Sequence, residues 1–176
     1  IGNISDRTKD CFDQLGIDWE ENRHTLSKMY GAQYVMKSPG ISSKNPLLNE
    51  IKSLKIPVLS EIEFASKYTD ATLIGITGSN GKTTTAMLTH HILKAAGFDV
   101  GLAGNIGNSF AKEVAENDHK YYVLEISSFQ LDDIINFAPK IGVITNITPD
   151  HLDSYDHDFS KYLKSKLRIN QNQTER

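Results

Sequence analysis

Short apolar runs alternate along the chain with segments of helical periodicity. Three runs are apolar at nearly every position, as buried parallel strands are: residues 71–76, 121–126 and 140–147. The segment that follows the first run has a helical pattern and stops near Gly97. It places four side chains on one face: Leu88, His91, Ile92 and Ala95. Strands that alternate with helices predict an α/β fold with a mainly parallel sheet.

The first 68 residues repeat this alternation with shorter elements. Strands are predicted at 33–37 and 56–59, with a helix at 8–15 before them. Asn45 precedes Pro46, which favours the first helical position because its missing N–H costs nothing there. Ser60 and Glu63 have the spacing of a capping box, which predicts another helix. The polar stretch 67–72 then marks a boundary between two domains, residues 1–68 and 69–176.

A glycine-rich turn links the strand at 71–76 to the helix after it, and Thr77 to Thr84 read TGSNGKTT. Main-chain N–H groups in such a turn surround a phosphate, and the helix N-terminus favours negative charge. Lys82 reaches the outer phosphates and the Thr83 hydroxyl binds magnesium. The usual template has glycine where this chain has Ile76, so only a shorter form matches. The strand–turn–helix context favours a nucleoside triphosphate site over a plain glycine turn with a surface lysine. The predicted nucleotide-binding residues are Gly78, Ser79, Asn80, Gly81, Lys82, Thr83 and Thr84.

Composition narrows the class of protein. A hydrophobic content of 39% over 176 residues suffices for a packed core, and no run approaches the roughly 20 apolar residues of a membrane helix. A net charge of −3 without a basic stripe argues against nucleic acid as a partner. The single cysteine, Cys11, excludes a disulfide framework, and no secretory signal is visible, so we expect a cytoplasmic protein.

Polar side chains stand where the predicted strands end, the edge at which parallel α/β sheets bind ligands. Glu125 is placed to hold magnesium directly or through water, or merely caps the next helix. Ser127 and Gln130 either bond phosphate or substrate, or are ordinary turn residues. His151 is a candidate metal or substrate ligand, although a lone histidine is more often structural, and Asn105 lies in a loop that approaches a ligand or simply turns.

Five motifs occur in the order in which the Mur ligases carry them. They are residues 77–84 (TGSNGKTT), 104–107 (GNIG), 124–131 (LEISSFQL), 146–153 (NITPDHLD) and 166–169 (KLRI). Residues 37–41 (KSPGI) also fit, so the resemblance covers nearly the whole chain. Residues 124–131 resemble most closely the branch of the family that adds D-glutamate.

The resemblance implies a three-domain protein. Residues 1–68 would form a UDP-substrate-binding Rossmann-like domain without its first strand, and residues 69–176 the first part of a P-loop-type central ATPase domain. Both chain ends fall inside apparent elements, so we expect an excerpt without the third domain, inactive by itself. The implied reaction is ATP-dependent joining of D-glutamate to UDP-N-acetylmuramoyl-L-alanine through an acyl phosphate, by a monomer, in bacterial peptidoglycan synthesis.

The resemblance also implies residue roles. Four residues correspond to catalytic positions: Lys82, Asn105, His151 and Lys166. Those that correspond to ligands of two magnesium ions are Thr83, Glu125, His151 and Lys166, the last as a carbamate formed with CO2. Those that correspond, some loosely, to substrate contacts are Asp6, Arg7, Ser38, Pro39, Gly40, Ser127 and Gln130. From the residues alone, Lys166 is predicted to be a solvated helix lysine.

Three other functions stay open. One is a different amide ligase, either a sibling of the same family or one like folylpolyglutamate synthase, with another amino acid as substrate. The second is a plain P-loop hydrolase or kinase, which needs no UDP-sugar peptide. The third is a fragment that binds nucleotide without catalysis.

Overall fold

The computed structural model describes residues 3–174. It contains two parallel sheets, one formed by residues before position 69 and one by residues after it. The smaller sheet pairs β1 (Val35–Met36) with β2 (Val58–Leu59). The larger sheet has the strand order β4-β5-β3-β6. Its strands are β3 (Thr72–Thr77), β4 (Val100–Gly104), β5 (Tyr121–Glu125) and β6 (Ile141–Ile144), and all their pairings are parallel. The predicted α/β class with a mainly parallel sheet is confirmed.

Seven α-helices occur within residues 3–174. They are α1 (Asp6–Gln14), α2 (Pro46–Ser53), α3 (Glu61–Ala65), α4 (Lys82–Ala95), α5 (Phe110–Glu116), α6 (Ser128–Leu131) and α7 (Phe159–Leu167). Short 3₁₀ turns occur at Leu26–Met29, Ser66–Tyr68, Leu152–Tyr155 and Arg168–Asn170. No helix in this part of the chain is both long and apolar enough to cross a bilayer.

The central strand β3 sets the register of the functional edge. Ile76 pairs with Glu125 on one side and with Val143 on the other, while Gly104 pairs with Glu125 from β4. Both faces of the sheet are covered, one by a cluster that includes Tyr122 and the other by a cluster that includes Val123. This two-sided burial explains the continuous apolar runs in the sequence. The parallel pairing of the strands brings the carboxyl ends of β3, β4 and β5 side by side.

Helix α4 packs with a different face from the one that its periodicity suggests. Leu88 and Ile92 are each 56% exposed, so the predicted face points away from the sheet. Ala86, which is fully buried, and Leu93 pack against the strands instead. A small residue such as Ala86 lets the helix backbone lie close to the sheet, and this contact outweighs the larger apolar side chains on the other face.

One predicted capping box is only half formed. Asn45 caps α2 by accepting from the Leu47 amide, as predicted, and Ser60 caps α3 by accepting from the Glu63 amide. The Glu63 side chain does not return to the cap. Its Oε2 accepts from the amides of residues 135, 136 and 137, in the segment between α6 and β6, at 2.7–2.9 Å.

Contacts of this kind join residues before position 69 to the segment between α6 and β6. The buried Lys37 ammonium lies 2.9 Å from the Asp133 carboxylate, and the Ser60 amide donates to the Asp133 carbonyl at 2.9 Å. Together with Glu63 they hold the amino-terminal segment against the loop after α6. The division into domains at residue 69 stays a prediction, and the two sheets are consistent with it.

Candidate functional site

The glycine-rich loop, residues 77–84, requires glycine at positions 78 and 81. Gly78 has φ +145, and a Cβ there would lie 2.0 Å from the Thr145 hydroxyl oxygen. Gly81 has φ +79 and forms the N-cap of α4. These backbone conformations, which other residues rarely adopt, explain why the turn is glycine-rich.

Asn146, two residues after the end of β6, holds the glycine-rich loop in shape. The Ser79 amide donates to the Asn146 carbonyl at 2.9 Å, and the Asn80 amide donates to Asn146 Oδ1 at 3.0 Å. Asn146 Nδ2 donates in return to the Asn80 carbonyl at 2.9 Å. The amides of Ser79 and Asn80 are therefore engaged within the protein. Their predicted role in phosphate binding stays a prediction, and the amides at the start of α4, residues 81–84, have no intrahelical acceptor.

Thr83, Glu125 and Asn105 meet at the carboxyl edge of the sheet. The Thr83 hydroxyl donates to Glu125 Oε2 at 2.7 Å, and Asn105 Nδ2 donates to Glu125 Oε1 at 2.9 Å. Glu125 is only 3% exposed, so these two neutral donors take the place of water at its carboxylate. Gly104 makes this approach possible, since a Cβ there would lie 2.2 Å from the Glu125 carbonyl oxygen.

This donor set fits a magnesium ion bound to phosphate. Mg²⁺ prefers oxygen ligands and uses one or two protein groups, with water and phosphate completing its shell. The carboxylate of Glu125 and the hydroxyl of Thr83 supply two such oxygens beside the start of α4. Within residues 3–174 there is no group of three or more His, Cys, Asp or Glu side chains that could hold a metal alone.

A cleft of about 250 Å³ opens beside these residues. Lys82 lines it, and its ammonium donates to the Ser79 carbonyl at 2.9 Å. The lining comprises Pro39, Gly40, Lys82, Asn105, Ser127, Ser128, Phe129, Asp150, His151, Tyr162 and Lys166. Residues from both sides of position 69 thus face one space. A larger cavity of about 1160 Å³ lies at the amino ends of β3 and β6 and contains none of the predicted site residues.

Lys166 is a buried side chain of this cleft. It is 2% exposed, which corrects the prediction of a solvated helix lysine. Its ammonium donates to the Thr77 hydroxyl at 3.3 Å and lies 5.4 Å from the centre of the Tyr162 ring. Desolvation, with a smaller contribution from the Lys82 ammonium, lowers the pKa of Lys166 to about 8. A minor fraction of this amine is therefore uncharged at pH 7, and about half of it at pH 8.

His151 also lines the cleft, in a left-handed conformation with φ 50. Its ring lies 5.5 Å from that of Phe129, and its Nε2 lies 3.6 Å from a carboxylate oxygen of Asp150. The side chain is 55% exposed. The predicted ligand role of His151 stays a prediction.

Some predicted substrate residues are not brought into the cleft. Asp6 and Arg7 are exposed at the start of α1, and Ser38 is adjacent to the lining without belonging to it. Gln130 forms a capping box with Ser127, in which its Oε1 accepts from the Ser127 amide at 2.9 Å. Gln130 therefore has a structural role that accounts for its burial, and its substrate contact has no support from the lining.

Local sequence patterns assign no role to Tyr162 or Phe129, and they mark Asn146 only as part of a polar cluster. The signal for Asn146 was its place directly after a strand. For Tyr162 it was the spacing of four from Lys166, which puts both side chains on one face of a helix. Neither signal separates a site residue from an ordinary turn or core residue.

A parallel sheet whose carboxyl edge carries a glycine-rich loop, a lysine and a hydroxyl–carboxylate pair defines an α/β domain of the phosphate-loop class. The family model described as the Mur ligase middle domain matches residues 76–176. The chain therefore belongs to the Mur ligase family.

Curated relatives share much of the sequence. The UDP-N-acetylmuramoylalanine–D-glutamate ligase of Bacteroides fragilis is 56% identical over 171 residues, which cover 97% of this chain and 38% of the relative. The protein of the same name from Christiangramia forsetii is 53% identical over 174 residues, which cover 99% of this chain and 39% of the relative. This chain thus spans well under half the length of the relatives that it matches.

Solved structures of the family share the fold. UDP-N-acetylmuramate:L-alanyl-γ-D-glutamyl-meso-diaminopimelate ligase from Neisseria meningitides aligns with a TM-score of 0.59 and 18% identity, over 100% of this chain and 60% of that one. UDP-N-acetylmuramate-alanine ligase from Thermotoga maritima aligns with a TM-score of 0.54 and 22% identity, over 97% of this chain and 40% of that one. At these identities the likeness concerns the fold.

Proposed function

We propose that the chain is part of an ATP-dependent amide ligase that joins D-glutamate to UDP-N-acetylmuramoyl-L-alanine. The observation that carries this proposal is that Lys82, the Thr83–Glu125 pair and the buried Lys166 converge on one edge of the sheet. Family membership supports the reaction class, and the names of the most similar relatives support the choice of substrates.

ATP is proposed to bind with its phosphates against the first turn of α4. The free amides of residues 81–84 and the Lys82 ammonium supply the positive potential, and Thr83 with Glu125 would hold a first Mg²⁺. The metal, when bound, neutralises charge that builds up on the transferred phosphoryl group. Asn105 links this pair to the cleft, because its amide bonds Glu125 while the residue also lines the cavity.

Lys166 is proposed to carry a carbamate that, with His151, holds a second Mg²⁺. The ammonium first loses a proton, and the neutral amine then attacks the carbon of CO2 and loses a second proton. The cation has then become a carbamate anion. The lowered pKa of Lys166 and the neighbouring Thr77 hydroxyl support this role, because they provide a reactive amine and a hydrogen-bond partner. His151 faces the same cleft.

The UDP-sugar substrate is proposed to enter where Pro39 and Gly40 meet Ser127. The first domain, residues 1–68, would bind the UDP moiety, and the central domain, residues 69–176, would bring the substrate carboxylate to ATP. A carboxylate oxygen attacks the γ-phosphorus and ADP leaves. The amine of D-glutamate then attacks the acyl carbon, and phosphate leaves with the bonding electron pair and takes up the proton that the amine loses. This chemistry would take place in the cytoplasm, in a monomer, as part of peptidoglycan precursor synthesis.

The test is Lys82→Ala in a polypeptide of the relatives' full length that includes this chain. We expect D-glutamate-dependent phosphate release to be abolished, because Lys82 clamps the transferred phosphate. Lys94→Ala is the matched control, since Lys94 lies exposed in the last turn of the same helix. Normal turnover in Lys82→Ala would overturn the proposal.

The same assay separates the alternatives. A sibling ligase or one like folylpolyglutamate synthase would release phosphate with a different amino acid. A plain hydrolase or kinase would turn over ATP without any UDP-sugar peptide. A protein that only binds nucleotide would bind ATP without turnover.

A further inference from the structure

Tyr162 touches two parts of the site from one position on α7. The side chain is 1% exposed, and its hydroxyl lies 2.9 Å from Oγ of Ser79 in the phosphate loop. The face of its ring lies 5.4 Å from the Lys166 ammonium. Neither the family match nor the reaction itself gives this residue a role.

The hydrogen bonds around Ser79 show which group donates. Ser79 Oγ lies 2.8 Å from the Thr148 carbonyl, which can only accept, and 3.0 Å from the Thr148 amide, which can only donate. A serine hydroxyl has one proton and two acceptor positions. The Ser79 proton is therefore used on the Thr148 carbonyl, and Tyr162 must donate its own proton to Ser79. All three hydrogen-bonding positions of this buried hydroxyl are then filled.

The contact between Tyr162 and Ser79 extends to Lys82, the lysine proposed to bind the transferred phosphate. The Ser79 carbonyl accepts from the Lys82 ammonium at 2.9 Å, so a displacement of Ser79 also displaces Lys82. The ring of Tyr162 is itself fixed, because Tyr155 packs edge-on against it with ring centres 5.5 Å apart. The Tyr155 hydroxyl in turn donates to a carboxylate oxygen of Asp132 at 2.8 Å.

We propose that Tyr162 is a positioning residue for the phosphoryl-transfer step: its hydroxyl fixes Ser79, and through it Lys82, while its ring fixes Lys166. The proposal rests on the proposed function. Its physical reason is that the two lysines stand on different elements, α4 and α7, and that only small errors in their separation are tolerated in a transfer reaction. Tyr162 bridges those elements.

The test is a double-mutant cycle with Tyr162→Phe and Ser79→Ala in the full-length polypeptide. Phenylalanine keeps the ring beside Lys166 and removes only the hydroxyl. We expect Tyr162→Phe to lower kcat for ATP-dependent phosphate release about tenfold, with the KM for the acceptor amino acid unchanged. The double variant should be no slower than Ser79→Ala alone, because both changes remove one interaction. Tyr121→Phe is the control, since its hydroxyl has no hydrogen-bond partner within residues 3–174 and lies at the other end of the sheet.

Fully additive effects, or a Tyr162→Phe variant with the kcat and ATP affinity of the wild type, would overturn the proposal. A purely structural role would lower the thermal midpoint and leave kcat of the folded protein unchanged, which also counts against it. Failure of the proposed function looks different. The wild type would then turn over ATP with another amino acid, or bind ATP without ligation. In the first case the double-mutant cycle is measured as kcat with that amino acid, and in the second case as affinity for ATP.

Discussion

Replacing Glu63 by alanine should strongly destabilise the fold, because one buried carboxylate oxygen joins two distant segments. Glu63 lies on α3 and is fully buried. Its Oε2 accepts from the amides of Ile135, Asn136 and Phe137 at 2.9, 2.9 and 2.7 Å. Its Oε1 has no hydrogen-bond partner within residues 3–174, and the Lys67 ammonium lies 3.8 Å away. The substitution thus leaves three amide donors without their acceptor.

The size of the effect comes from those three bonds. A hydrogen bond to a charged group contributes about 1.5–3 kcal/mol, and a buried donor without a partner costs about 1–3 kcal/mol. Water entering the space left by the side chain, together with the removal of a buried charge, offsets part of the loss. We therefore expect Glu63→Ala to lower the free energy of unfolding by about 4 kcal/mol, near the lower end of the range for three charged bonds. That is a large share of the roughly 5–15 kcal/mol that stabilises a typical domain.

Urea-induced unfolding, followed by circular dichroism, measures the effect as a shift of the midpoint at constant slope. Glu63→Gln is the matched control. Its amide oxygen can replace Oε2 as an acceptor while its NH₂ occupies the place of the unpaired Oε1, so it should lose less than half as much as alanine. Equal stability of alanine and wild type would refute the reasoning. Equal losses for glutamine and alanine would show that charge, rather than the accepted bonds, matters at this position.

Three further changes test the site. Gly78→Ala should abolish ATP binding in a binding titration, because the added Cβ would overlap the Thr145 hydroxyl. Gly97→Ala is the control, since a Cβ there meets nothing within 4 Å. It should bind ATP normally and lower the free energy of unfolding by only about 1 kcal/mol through backbone strain. Thr83→Val should raise the magnesium concentration needed for half-maximal activity at least about tenfold, whereas Thr84→Val should not, and equal requirements would contradict the Thr83–Glu125 site. Carbamate on Lys166, read by ¹³C NMR at fixed dissolved CO2, should rise from pH 7 to pH 9, because the amine loses its proton as the pH passes its pKa of about 8; a signal independent of pH would contradict this.

Parallel sheet geometry explains why part of the site could be predicted from the sequence. Once residues 71–76 and 121–126 are taken as parallel strands, the residues that follow them must lie at one edge. This places the phosphate loop beside Glu125, and the structure brings the Thr83 hydroxyl to 2.7 Å from that carboxylate. The inference needs only the strand assignment and its direction, both of which are properties of short segments.

Helix α4 shows where such local information fails. Its sequence has two apolar stripes, one with Leu88 and Ile92 and one with Ala86 and Leu93, and periodicity favours the stripe with the larger side chains. The structure packs the smaller one against the sheet. Which stripe is buried depends on how closely the helix can approach the strands, and that distance belongs to the pair of elements rather than to the helix.

The other wrong predictions concern side chains whose bonding partners lie far away in the sequence. Ser60 with Glu63 and Ser127 with Gln130 have the same spacing, yet only the second pair closes a capping box, because the Glu63 carboxylate finds three amides more than 70 residues away. Lys166 is likewise indistinguishable in sequence from the exposed Lys164, and the hydroxyl that its buried ammonium bonds, that of Thr77, is 89 residues away. In each case a charged side chain leaves water at a position where a tertiary partner bonds it, and for Lys166 this bond compensates the lost hydration only in part, since desolvation still lowers its pKa. A single sequence shows the charge but not that partner, so the residues most perturbed by the fold are the ones that its local patterns describe least well.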